Sequence, residues 1–205
     1  VKLSNGTYMP LDPTWVPFCR ELWSSAEQQQ NYLPGVPEGS DLCITPVSAP
    51  ENHYVRIKAD NRLDADGTLR GTFTLTAEGQ SDSNIRRIFT TGFRSEWKNT
   101  MESQLLAISP KAKLLSVDYG KNPKDYQAAP IKITFRYEIP DYALKGEKEM
   151  FFRPLVMNNL YNQVRSYLRI DTSLKERKYG FKDGCSRLVE LDETIQLPAG
   201  YKLAN

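Results

Sequence analysis

From His53 onward the chain alternates apolar and polar residues in runs that fit β-strands, interrupted by one run that fits a helix. His53 to Arg62 and Thr68 to Ala77 both alternate, and Asp64-Ala65-Asp66-Gly67 supplies turn residues between them, which predicts a hairpin. Val55, Ile57 and Ala59 fall on one face, matched by Leu69, Phe73, Leu75 and Ala77, while Arg70, Thr72, Thr74 and Thr76 face water. The clearest strand is Ile131 to Ile139, where Ile131, Ile133, Phe135, Tyr137 and Ile139 alternate with Lys132, Thr134, Arg136 and Glu138. Lys113 to Tyr119, Glu147 to Arg153 and Arg187 to Leu197 read as further strands. One apolar and one wet face per strand is the pattern of antiparallel sheets.

The period changes between Ile85 and Leu105. Ile85, Phe89, Phe93, Trp97, Met101 and Leu105 recur every four residues, with Arg86, Arg87, Arg94, Lys98 and Glu102 on other faces. Ser81-Asp82-Ser83-Asn84 offers acceptors for the free N–H groups of a first turn, and Pro110 ends the run. The spacing predicts one amphipathic helix over about 83–107, with the aromatic stripe as core. The expected fold is α+β: a mainly antiparallel, sandwich-like sheet with this one long helix. The loose spacing between Asn158 and Asp183 leaves helix and loop both open.

Before His53 the text differs. Pro17, Pro34, Pro37, Pro46 and Pro50, with Gly35 and Gly39, break any long element around one short helix near Glu21 to Gln30. The expected division is 1–45, a domain remnant plus linker, and 46–205, one α+β domain. Asn5-Gly6 between two alternating runs predicts a type I′ hairpin turn. The chain starts inside that hairpin, without an initiating Met or a leader, and so reads as an excised fragment.

Composition excludes several classes. Lys and Arg number 27 against 25 Asp and Glu, mixed along the chain with no run of like charges beyond short clusters, which argues against a nucleic-acid or membrane-surface binder. The longest apolar stretches, such as Leu105-Leu106-Ala107-Ile108, are too short for a transmembrane segment. One His and three scattered Cys give no metal-ligand spacing, Asp64-Ala65-Asp66-Gly67 lacks the rest of a calcium loop, and no phosphate or dinucleotide loop occurs, so neither metal nor cofactor is expected. Cys19, Cys43 and Cys185 allow at most one disulfide, with Cys19 to Cys43 one candidate. Asn5-Gly6-Thr7 fits a glycosylation sequon and, equally, a turn.

Candidate chemistry is sparse. Asp12 in Asp12-Pro13-Thr14 fits either a turn acceptor or an orienting carboxylate. A thiol hydrolase would have to use Cys19, the single His53 and Asp12. Tyr161, Tyr167, Tyr179 and Phe181 could form an exposed patch for glycan or protein.

Gly6, Tyr8, Met9, Leu11, Asp12, Pro13 and Thr14 carry a resemblance. They are similar to the strand that bears the catalytic Asp in the transglutaminase-like, papain-type superfamily, where Cys on a helix and His on a strand come first. The resemblance implies that Asp12 is the remaining member of a triad whose Cys and His precede Val1, and that this fragment is not itself an enzyme. Tyr32 to Gly39, Asp66 to Gly71, Glu78 to Asp82 and Glu193 to Tyr201 resemble the domain of unknown function that follows such a core in exported proteins of the Bacteroides type. That implies a non-catalytic accessory domain, a periplasmic or cell-surface location, and the transglutaminase-like core of the parent chain as partner, with an adhesion or glycan/protein-binding module as the alternative.

Overall fold

A computed structural model describes residues 1–12, 14, 23–156, 173–180 and 184–204. Two antiparallel strands, β1 (Asn31–Tyr32) and β2 (Cys43–Ile44), form a ribbon ahead of the main sheet. Then come β3 (Tyr54–Leu63), β4 (Leu69–Ala77), helix α1 (Gly79–Thr91), helix α2 (Trp97–Ile108), β5 (Lys113–Asp118) and β6 (Ile131–Ile139). A second ribbon, β7 (Leu144–Lys145) with β8 (Met150–Phe151), precedes the last strand, β9 (Leu188–Gln196). The fold is α+β.

The five long strands lie in the order β5-β6-β4-β3-β9. Their register follows the alternation: Val55, Ile57, Ala59 and Leu63 of β3, Leu69, Phe73 and Ala77 of β4, and all five apolar residues of β6 are buried. The phenyl rings of Phe73 and Phe135, cross-strand partners, stack with centroids 4.4 Å apart. Helix α1 packs on β3, β4 and β6, and α2 on β5, so one face of the sheet is covered by helix.

The single long helix and the sandwich are corrected. The single helix over about 83–107 is two helices, broken at Gly92-Phe93 and restarted through a short 3₁₀ turn, Arg94–Glu96. A period of four exceeds the helical 3.6 by about 40° per step, so six such residues wind roughly 200° around one straight helix. One sheet cannot bury them all; the chain breaks, Phe93 is left 76% exposed, and Trp97, Met101 and Leu105 re-enter the core. The helix also starts earlier than its cap-type residues suggest, at Gly79: Ser81 Oγ donates to His53 O at 2.9 Å, and Asp82 turns inward.

The sandwich-like arrangement is likewise replaced by one mixed sheet. Its apolar face is taken by the helices, and its other face carries Arg, Lys, Thr and acidic residues that offer a second sheet nothing to bury. The sheet is mainly antiparallel, as expected, and β9 is its parallel strand, paired with β3 in register from Tyr54↔Leu188 to Arg62↔Gln196. Parallel pairing requires a crossover connection, which a hairpin could not make.

The segment expected to be linker is anchored near its middle. Ser24, Ser25 and Gln28 are buried; Ser25 Oγ lies 3.1 Å from Cys185 Sγ, and Gln28 Oε1 accepts from Ser48 N–H at 3.1 Å. Within Glu21 to Gln30 the described residues hold one 3₁₀ turn, Ser25–Glu27; Glu21 and Leu22 lie outside the described residues. The irregular stretch from Asn158 also lies mostly outside them.

Candidate functional site

The opening hairpin is present, with a different turn. Leu3 N–H donates to Thr7 O at 2.7 Å and Gly6 N–H to Leu3 O at 2.9 Å, which encloses a three-residue loop. Gly6 alone has positive φ, +82°, so this is a turn closed by a glycine bulge and not type I′, which needs two such residues. The β3–β4 hairpin repeats the design with Gly67 at +88° and Gly67 N–H on Asp64 O at 2.9 Å.

Beyond the hairpin, Asp12 Oδ1 accepts both Thr14 N–H at 2.9 Å and Thr14 Oγ at 2.6 Å. This Asx turn is the local arrangement that Asp-Pro-Thr encodes. Cys19 lies outside the described residues, as do Tyr161, Tyr167 and Phe181; Tyr179 is 77% exposed. Neither Cys43 nor Cys185 is in a disulfide, so Cys43 is not bonded to Cys19.

His53 is 1% exposed. Its Nδ1 accepts Gln80 N–H at 3.2 Å, so its Nε2 carries the proton and donates to Ser48 Oγ at 2.7 Å. The imidazole thus caps the N-terminus of α1. Gly79 has φ +58°, and a Cβ there would sit 2.3 Å from His53 Nδ1, so glycine is what lets the ring approach. Burial, and then the Arg187 charge, lower the pKa of His53 below the ordinary 6.5 against a weaker upward pull from Glu78. A neutral ring bonded through both nitrogens inside the protein is a structural element.

A second buried network crosses the sheet at Gly71. Tyr137 Oη donates to Asn61 Oδ1 over the glycine that separates their strands, and Asn61 Nδ2 donates to Glu193 Oε1 at 2.7 Å. Glu193 also accepts Leu155 N–H at 3.0 Å and Val156 N–H at 2.9 Å. A Cβ on Gly71 would fall 2.0 Å from Asn61 Oδ1. Burial and the Glu193 charge push the Tyr137 hydroxyl well above its usual range, which keeps it a donor. Gly71 in the middle of an alternating strand was the readable sign of this crossing.

The opposite, wet face of the sheet holds a groove of about 520 Å³. Cross-strand register builds it: Gln196, Arg62 and Arg70 form one row, with Glu138 next in register outside the lining, and Thr194, Asp60, Thr72 and Arg136 form the next. Arg62 and Arg70 are direct cross-strand partners, a repulsive placement that Asp64 relieves by bonding both. Arg70 Nε also meets Glu138 Oε2 at 3.0 Å, and Lys113 Nζ lies 3.3 Å from Glu138 Oε1; these two cations hold the Glu138 carboxyl below its usual range. The Arg136 side chain is exposed and has no ion-pair or hydrogen-bond partner among the described residues.

Among the described residues no group of three or more His, Cys, Asp or Glu is placed to hold a metal ion, and no helix is long and apolar enough to cross a membrane. No protein-family model, curated protein or solved structure matches the chain.

Proposed function

We propose that this chain is a non-catalytic accessory module of an exported transglutaminase-like protein, and that it works by contact: its first 47 residues pack on the catalytic core of the parent. One observation carries the reading. Of the large apolar side chains that stand exposed among the described residues, half fall in those first 47, including Val1 and Leu3 on the hairpin and Leu33, Leu42, Ile44 and Val47 around the β1–β2 ribbon. Single exposed apolar residues are ordinary; this concentration, on two short unpartnered ribbons, is what a contact surface leaves when its partner is absent.

The engagement of His53 supports the non-catalytic part. A thiol nucleophile needs a base within hydrogen-bond reach, and the chain's one imidazole is bonded to Ser48 and to the α1 N-terminus. Asp12 then keeps the part the resemblance gives it, an orienting carboxylate for a His supplied from upstream, with the Asx turn setting its position. A periplasmic or cell-surface location goes with the same reading. The reading frame upstream of Val1 tests it: a Cys on an amphipathic helix, followed by a His on the strand entering the Asn5-Gly6 turn, is expected, and a frame lacking both overturns it.

A further inference from the structure

We infer that the wet face of the sheet binds an acidic protein segment in the groove between Arg62, Arg70 and Arg136. This rests on the reading of the chain as an interaction module and adds a second surface, remote in sequence from the apolar one. Among the residues that line the groove, three guanidinium groups stand against one carboxylate, Asp60. The carboxylates that offset Arg62 and Arg70, Asp64 and Glu138, are not part of the lining and occupy only some of the donors. Arg62 engages Asp64 through Nε, and Arg70 uses Nε and Nη1, so terminal nitrogens on both stay available. Arg136 keeps all five of its donors.

The three arginines stand on β3, β4 and β6, successive strands about 5 Å apart, so one carboxylate can take donors from two of them. Thr72, Thr194 and Gln196 add neutral hydrogen-bonding groups, and Leu115, half exposed, adds an apolar rim. The ring of Tyr137, the aromatic residue of the lining, is fully buried, so no aromatic platform is offered to the apolar face of a sugar. Side chains rich in carboxylate on an extended backbone suit this surface better than an acidic glycan.

Titration of the full chain with a hexaglutamate peptide tests the inference, with Arg136→Glu as the variant because that side chain holds nothing in the fold. Saturable binding is expected, weakened about tenfold or more by Arg136→Glu at unchanged Tm, and weakened again between about 50 and about 500 mM salt. Absence of binding overturns the inference, as does binding that Arg136→Glu leaves intact. Binding of an oligogalacturonate in place of the peptide also overturns it, assigning the groove to acidic glycan. Leu42→Asp perturbs the apolar surface and leaves the groove untouched, so failure of the groove and failure of the accessory-module reading give different results.

Discussion

Replacing Arg86 by Met should cost more than any surface change in this protein, for a reason that can be followed atom by atom. Arg86 and Asp82, one turn apart on α1, have side chains 3% and 0% exposed and meet at 2.5 Å. Arg86 also donates to Pro123 O at 2.8 Å and Ala129 O at 2.6 Å, while Asp82 accepts Ile131 N–H at 2.6 Å. The pair therefore fastens α1 to the loop entering β6. Methionine restores most of the volume and none of the donors. It leaves a buried carboxylate with one main-chain partner and removes the donors from two carbonyls, and breaking one side of a buried pair typically costs about 3–5 kcal/mol. That is a large share of the roughly 5–15 kcal/mol by which a domain is stable. Urea unfolding followed by circular dichroism should show a midpoint lowered accordingly at unchanged slope. Asp82→Leu combined with Arg86→Met should recover part of the loss, since neither charge is then buried alone. A loss below about 1 kcal/mol for Arg86→Met, in the range of exposed ion pairs, would refute the reasoning.

Gly79→Ala should destabilise by at least about 2 kcal/mol, because the new methyl meets His53 Nδ1 at a residue with φ +58°; Gly6→Ala, with positive φ and open space, should cost only about 1 kcal/mol, and thermal unfolding of the two separates strain from clash. His53 has a lowered pKa in the folded state, so the unfolded chain binds the proton more readily: stability is fully present above about pH 6.5 and declines as pH falls toward the folded value, a slope that His53→Gln should remove. Asn61→Ala should cost about 1–3 kcal/mol by stranding the buried Tyr137 hydroxyl, and Tyr137→Phe in that background should restore part of it, as a double-mutant cycle in urea would read.

The long strands β3, β4, β6 and β9 were legible because their alternation carries its own burial rule: Ile131–Ile139 alternates without exception, and its observed ends match the expected ones, whereas of the expected Glu147 to Arg153 only Met150–Phe151 is strand. The hairpin at Asp64 to Gly67 was legible for the same reason, the turn chemistry being local. What stayed hidden depends on partners. No residue of β9 encodes that it runs parallel to β3, and the break at Phe93 becomes visible only when a period of four is set against the helical 3.6. The groove was hidden too, since Arg62, Arg70 and Arg136 are distant in sequence and meet through register alone. His53 read as the first residue of a strand; its place at the start of α1 requires the strand, the turn and Gly79 together.

The central claim is that the module acts by contact through its first 47 residues. It is tested most directly by titrating this chain with the separately expressed polypeptide encoded upstream of Val1. Saturable binding is expected, reduced about tenfold or more when Leu42 and Ile44, 69% and 67% exposed, are both replaced by Asp. No binding, or binding indifferent to that pair of substitutions, would contradict the account.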